Sequence, residues 1–577
     1  MGESPEVKVS DLLALGRFET MERRRGDRLI ELGFTMQKET LQQLIRGEVY
    51  DTPKILDQAS RDASIFTVRP SLVIAPKDTT DIQKLIQYIN EHPDEKLSLT
   101  PRLAGTDMSG GPLTESIVLD MKKHFTKIES VTSSHVVCQP GVMYKTLERA
   151  AKKKDALYPA YTSSKDICTI GGMIADNAGG EKSLSYGKAE RYVEELEVVL
   201  ADGTLATFRP LTVAELPAKF QLPGLEGDIY RKMYALIREN YVPICQAKPT
   251  VSKNSAGYYL WNVWDGTHFD LTKLLVGSQG TLGIITKMKL KLVRPKKHSR
   301  LLVIFLSDTD KLATIINKVL EHRPESFECF DDHTLTMAIK YLPELSKHIA
   351  RQSPLKTALN FLPEAFFFLR HGMPKLVLLA SFTSDKASDA TKQALVAETA
   401  IKAYSEKTLV TKTKIEEKKY WVVRRESFNL LRHHSPDKHA APFIDDITVA
   451  PAKLPKFLPK LKEIMSHYAI EYTLAGHIGD GNFHIIPLLN MHDTKITAII
   501  PEVSKKVFDL VFQYGGSMSG EHNDGLIRTP YLTAMFGPEM VSLFATTKAI
   551  FDPNNIFNPG KKVAVSLQYS LQHLIKD

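Results

Sequence analysis

The sequence predicts an α+β protein with at least two cores, and three features of its patterning carry that prediction. Residues 59–297 alternate short apolar strands with amphipathic helices. Residues 298–413 repeat a strand–helix–strand pattern twice, and residues 414–577 read as mainly helical apart from two segments rich in glycine and histidine. A chain of 577 residues is also longer than one core usually supports. The expected division is a charged helical extension over 1–58, a first body over 59–297, and a second over 298–577 with a helical insertion at 333–375.

In the extension, Leu29–Ile30 and then Leu41, Leu44 and Ile45 are the apolar points of helices packed on the body. Ser71–Ala75 is a strand ended by Pro76. Asp78 or Thr79 caps a helix whose apolar positions Ile82, Leu85, Ile86 and Ile89 follow i, i+3, i+4, i+7. Leu97–Leu99 and Ile117–Leu119 are further strands, and Leu196–Leu200 and Thr204–Phe208 flank an Asp202-Gly203 turn as a hairpin. In the second body, Leu301–Leu306, a helix near Asp310–Leu320 and Phe327–Phe330 form one unit. Leu376–Phe382, a helix near Ala387–Tyr404 and Thr408–Thr413 form the other. Together they predict an open sheet with helices on one face.

A net charge of +8 over this length leans toward small anionic partners and lacks the basic stripe of a nucleic-acid binder. The four cysteines, Cys138, Cys168, Cys245 and Cys329, form no C-x-x-C pair. That spacing argues against an iron–sulfur cluster or zinc knuckle built from this chain alone, and it gives no disulfide framework, which suits a reducing compartment. The charged start (Glu3, Glu6, Lys8, Asp11) has no apolar signal core, and no apolar run is long enough to span a membrane. These features predict a cytoplasmic protein. The phenylalanine-rich stretch Leu355–Leu369 reads as a buried helix, with peripheral contact at the inner face of a membrane as the alternative.

Three segments of the first body concentrate glycine: Pro101–Gly111, Thr169–Gly180 and Leu275–Thr286. Small residues in series let backbone N–H groups approach a phosphate-bearing ligand. None of the three has the Rossmann or Walker spacing, so a nucleotide is suggested without the usual nucleotide folds.

The second body supplies candidate metal ligands. In His477-Ile478-Gly479-Asp480-Gly481-Asn482-Phe483-His484 the glycines argue against a helix, and Asp480-Gly481 as a two-residue turn would pair His477 with His484. Opposed imidazoles at that spacing can share a metal ion. Ser519–Gly525 adds Glu521, which completes a His/His/Glu set, with His522 beside it. The plainer alternative is that these groups hydrogen-bond within a core. Trp421-x-x-Arg424 offers a guanidinium whose planar fork matches a carboxylate, with Arg425 as an adjacent competitor. Arg432, His433, His434, Lys438 and His439 are either a solvated helix end or a substrate contact, and Asp445 and Asp446 read as supporting groups.

The glycine-rich segments, in this order, resemble the FAD-linked oxidases of the vanillyl-alcohol oxidase and p-cresol methylhydroxylase type over roughly residues 60–565. The histidine motifs resemble a narrower branch: D-lactate dehydrogenase, D-2-hydroxyglutarate dehydrogenase and the flavoprotein of glycolate oxidase. The resemblance implies a two-subdomain FAD-binding domain followed by an α+β substrate (cap) domain with a mostly helical C-terminal segment. It implies that Arg102, Ala104, Gly105, Thr106, Ser109, Gly110 and Gly111 hold the pyrophosphate. Thr169, Gly172, Ala175 and Asn177 would line the cofactor, with Val193, Gly283 and Ile284 near the adenine. Some members attach FAD through a histidine of the first loop; this loop has none, so a noncovalent flavin is expected.

By the same resemblance His477, His484 and Glu521 bind a divalent metal (zinc, manganese or iron) and His522 is the candidate base. The branch usually has glycine after that histidine, where this chain has Asn523. The expected reaction is metal-assisted oxidation of a small D-2-hydroxy acid, with Arg424 on its carboxylate and FAD taking the hydride. Electrons would pass to a quinone, an electron-transfer flavoprotein or a cytochrome, and any iron–sulfur relay would sit on a separate subunit. The rival expectations are an enzyme like the ether-lipid synthases and a flavin-bound subunit without turnover.

Overall fold

The computed structural model describes residues 37–341, 344–345, 370, 372–405, 407–434, 438–468 and 470–576. Side chains 426–434 are not among them. Leu29–Ile30, most of the insertion at 333–375 and the stretch 355–369 lie outside the described residues.

Three sheets organise the chain. The first has four strands in the order Glu48–Tyr50, Leu72–Ala75, Ile117–Asp120, Leu99–Arg102. Its helix Thr79–Glu91 forms as the periodicity predicts: Asp78 accepts from Thr80 N and Asp81 N, and Ile82, Leu85, Ile86 and Ile89 are buried. The edge strand Glu48–Tyr50 pairs antiparallel with Leu72–Ala75. The expected boundary at residue 58 therefore falls inside the first sheet. The second sheet has five strands, and the hairpin around Asp202-Gly203 is one edge of it, with Val199 opposite Leu205.

The third sheet has eight strands, ordered Lys407–Val410, His298–Leu306, Leu376–Ser384, Ser326–Asp331, Glu471–His477, Asn482–Leu489 and His439–Ala440, with Ile447–Thr448 also on Asn482–Leu489. Both predicted strand–helix–strand units are present in it. The expectation of helices on one face is corrected. Leu302, Ile304 and Leu306 bury against the helices of one face, while Leu301, Val303 and Phe305 bury with Tyr420, Val422 and Val423 of helix Lys414–His434 on the other. The unbroken apolar run Leu301–Leu306 is the sequence mark of a strand covered on both sides.

The chain then returns to its first half. Met540, Phe544 and Phe551 of helix Leu532–Phe551 join the core of the second sheet. Leu99 N donates to Ile556 O at 2.7 Å, Asn558 N donates to Leu99 O at 3.0 Å, and Ile556 and Phe557 fill the first sheet's core. Residues 540–558 thus brace the first body. No helix among the described residues is long and apolar enough to cross a membrane.

Candidate active site

One cleft of about 800 Å³ joins all three glycine-rich segments to the histidine hairpin. Such a volume is typical of a small-molecule site. Of the expected cofactor residues, Ala104, Gly105, Thr106, Gly111, Thr169, Gly172, Ala175, Gly283 and Ile284 line it. The structure places the other five outside its lining. Arg102 donates to Ala59 O and Arg61 O, so its guanidinium anchors the preceding loop. Ser109 is fully buried with its Oγ on Asp107. Gly110 N donates to Asp62 Oδ2 at 3.1 Å. Asn177 caps helix Ile170–Asp176 in the left-handed region, its Oδ1 accepting from Glu190 N. Val193 is a core residue at the start of its strand.

The first loop is acidic where a phosphate was expected. Ser109 N and Gly111 N donate to Asp107, and Gly110 N to Asp62, so these three amides are already engaged. Burial, and then the nearby Asp107, pushes the Asp62 carboxyl up to about 7.

Two observations in the second segment point to a ligand. Thr169 Oγ1 is buried without a hydrogen-bond partner among the described residues. Gly172, one turn into the helix that starts there, has room that the protein does not use: an added Cβ would meet only Thr169 Oγ1, at 3.4 Å. The neighbouring Gly171 is the opposite case, because its Cβ would stand 2.4 Å from Pro140 Cβ. Packing explains Gly171, whereas no protein atom in the structure requires glycine at 172.

The histidine segment forms the expected hairpin, with a corrected register. Four residues, Ile478–Gly481, make the turn, so His477 pairs with Asn482, and His484 pairs with Ala475. The expected pairing of His477 with His484 is off by two residues. A slip of two keeps every side chain on its face. The two histidines therefore remain diagonal neighbours, ring centroids 5.2 Å apart.

Glu521 completes the triangle. Its Oε1 lies 3.1 Å from His477 Nε2 and 3.5 Å from His484 Nε2. A charged group stands behind each of the three: Glu328 Oε1 is 2.7 Å from His477 Nδ1, Asp445 Oδ1 is 3.1 Å from His484 Nδ1, and Lys253 Nζ is 2.9 Å from Glu521 Oε2. Burial opposes charge on Glu521, but Lys253 and His477 outweigh it and hold the carboxyl well below the usual range. Burial likewise opposes charge on His484, and Asp445 overrides it, raising the imidazole to about 10.

His522 lines the same cleft, its ring stacked on His484 with centroids 5.0 Å apart. Asp445 Oδ2 stands 2.7 Å from its Nδ1. Burial lowers the His522 pKa, but Asp446 and Asp445 outweigh it and raise it overall. Among the described residues, Asp446, His484, Glu521 and His522 each bring a ligand atom within 4.8 Å of the others, a set that leaves out His477. Asp446 is committed elsewhere: its carboxylate accepts from Glu521 N, His522 N, Ser519 Oγ and Asn482 Nδ2, which ties the loop to the hairpin. Asn523, the departure from the branch pattern, takes φ +66. Asparagine tolerates this region, and its Nδ2 donates to Asp176 O and Gly277 O.

Arg424 and Arg425 both line the cleft. Arg425 is held by Glu181, which accepts from its Nε and Nη2 at 2.7–2.9 Å. Arg424 Nη2 lies 3.2 Å from Glu328 Oε2. In the cationic cluster, Lys438 pairs with Glu471; the side chains of Arg432, His433 and His434 are outside the described residues. Sequence reasoning missed Glu328 and Lys253. Each sits far along the chain from the histidines, and only a lysine set in a run of small residues, Ser252–Gly257, hinted at the second.

Comparison with known proteins agrees with this architecture. Residues 70–209 match the FAD binding domain family, and residues 295–562 match the C-terminal domain of FAD linked oxidases. A D-2-hydroxyglutarate dehydrogenase of Pseudomonas putida is 29% identical over 89% of this chain, which spans about half (50%) of that protein. A D-lactate dehydrogenase of Archaeoglobus fulgidus is 28% identical over 89% of this chain and 94% of its own length. The glycolate oxidase subunit GlcD of Bacillus subtilis is 27% identical over 86% and 89%. Among solved structures, p-cresol methylhydroxylase with substrate bound superposes with a TM-score of 0.65 at 14% identity, covering 93% of this chain and 97% of its own. The chain carries the FAD binding domain and the C-terminal domain of FAD linked oxidases, and it has the fold of the vanillyl-alcohol oxidase and p-cresol methylhydroxylase type.

Proposed function

We propose that this protein oxidises a small D-2-hydroxy acid, of the D-lactate or glycolate kind, to the 2-oxo acid at a noncovalently bound FAD. The observation that carries the reading is the single cleft joining the glycine-rich walls to His477, His484, Glu521, His522 and Arg424. The residues fit both groups the reaction needs. For FAD, the unpartnered Thr169 Oγ1 and the open face at Gly172 offer a hydrogen bond and a close approach. For a divalent metal (zinc, manganese or iron), ligand bonds of about 2.0–2.1 Å in a tetrahedron place neighbouring ligand atoms roughly 3.3 Å apart. The observed separations of 3.1 and 3.5 Å bracket that edge.

When bound, FAD supplies a two-electron acceptor and the metal supplies a Lewis acid for the substrate's hydroxyl oxygen. The chain's own residues do the rest. Arg424 binds the substrate carboxylate, with Glu328 fixing one side of its guanidinium. His522 takes the hydroxyl proton at Nε2, and the Asp445 carboxylate, 2.7 Å from its Nδ1, stabilises the imidazolium that forms by its charge. Lys253 holds one oxygen of Glu521 so that the other faces both histidines. The reduced protein passes its electrons to a quinone, an electron-transfer flavoprotein or a cytochrome, directly or through a separate iron–sulfur subunit; the half-length match to the Pseudomonas relative leaves room for such a partner. The test is His477→Ala. It should lose metal and most turnover while keeping flavin, and full activity in the metal-free variant would refute the metal's role.

A further inference from the structure

The geometry points to Glu328 as a positioning residue that holds the metal-site histidine and the substrate arginine with one carboxylate, an inference that rests on the function proposed above. Glu328 lies in the middle of strand Ser326–Asp331 and is 1% exposed. Its neighbours Phe327 and Cys329 bury on the other face of the sheet, so its side chain stands on the cleft side. An interior strand position of this kind normally takes an apolar residue. A carboxylate is tolerated there only if its oxygens are matched.

Both are matched, by groups of different purpose. Oε1 lies 2.7 Å from His477 Nδ1, and Oε2 lies 3.2 Å from Arg424 Nη2. The first contact places the ring proton on Nδ1 and turns the Nε2 lone pair toward Glu521, the side from which a metal would be bound. The second fixes the guanidinium against the same strand. The distance between the hydroxyl site and the carboxylate site of the substrate is thus set by the span of one glutamate side chain. Asp445 plays the matching part for His484 and His522, pairing two histidines where Glu328 pairs a histidine with an arginine.

The experiment uses the full-length flavin-loaded protein, stripped of metal, and the zinc ion as probe in competition with a chromogenic chelator. Glu328→Gln should raise the zinc dissociation constant 10–100-fold and raise KM for the best hydroxy acid, with flavin content unchanged. Arg424→Met should raise KM while leaving zinc affinity within about threefold, since His477 keeps its partner. Should Glu328→Gln fail to fold, Glu328→Asp, which keeps the charge and withdraws it, must weaken zinc at least tenfold in flavin-loaded protein. Zinc affinity within threefold of the parent in whichever glutamate variant folds overturns the inference and leaves the proposed function standing. Parent protein that takes up no zinc overturns the metal reading and this inference with it.

Discussion

Adjacent glycines of the second glycine-rich segment should respond to the same substitution in opposite ways. At Gly171 an added Cβ would lie 2.4 Å from Pro140 Cβ and 2.8 Å from Pro140 Cα and O, a clash with backbone that cannot swing away. Overpacking of this kind costs about 1–3 kcal/mol, so Gly171→Ala should lower the melting temperature of the flavin-free protein. At Gly172 the Cβ meets only Thr169 Oγ1 at 3.4 Å, ordinary contact, inside helix Ile170–Asp176. Alanine there should be neutral or stabilise the flavin-free protein by up to about 1 kcal/mol through its helix propensity. Gly172→Val goes further, because its methyl groups must enter the cleft. If FAD lies against this face, losing about 1.4–3 kcal/mol of contact weakens it roughly 10–100-fold. Thermal melts of the flavin-free variants and titration of flavin fluorescence read both quantities. A Gly172→Val protein that melts like the parent and binds FAD with the parent's affinity would refute the placement of the cofactor.

Other consequences follow from the same geometry. Asp62 is held protonated up to about pH 7, against an ordinary value of 3.8. The folded state therefore keeps a proton that the unfolded chain releases, and this contribution to stability falls as pH rises from about 4 to 7, then levels off. Asp62→Asn should flatten that slope in a Tm–pH series even though it gives up the bond from Gly110 N; parallel profiles for parent and variant would count against it. His522→Ala should slow anaerobic flavin reduction by about 10²–10⁴-fold, and an unchanged stopped-flow rate removes it as the base. Flavin should leave the protein on acid precipitation, because the first loop has no histidine to bond it; colour retained in the pellet contradicts this.

Much of this was legible in the sequence because it is local. The i, i+3, i+4, i+7 pattern of Thr79–Glu91 and the Asp202-Gly203 turn are decided by neighbours in the chain, and both form as expected. The histidine hairpin was half legible. Gly and Asp marked its turn but not its length; Gly481, at φ +67, lies so close to Val449 O that no side chain fits there, a contact that no short segment reveals. Side-chain alternation protected the functional outcome from that error. What stayed hidden is what distant segments bring together. Glu328 looks like a stray acid in an apolar strand, Lys253 like a loop lysine, and residues 540–558 like part of the second body until Leu99 and Ile556 are seen bonded. Asn523 shows the converse: a departure from the branch pattern that sits in the left-handed region and whose side chain donates to Asp176 O and Gly277 O.

By the function proposed above, a D-2-hydroxy acid reduces the flavin held in the cleft. Mixing the flavin-loaded, metal-replete protein without oxygen with D- and L-lactate, glycolate and D-2-hydroxyglutarate, and following the oxidised-flavin absorbance, tests it most directly. Rapid bleaching by D-lactate or glycolate and none by L-lactate is the expected result. Flavin that stays oxidised with every member of the panel would contradict it.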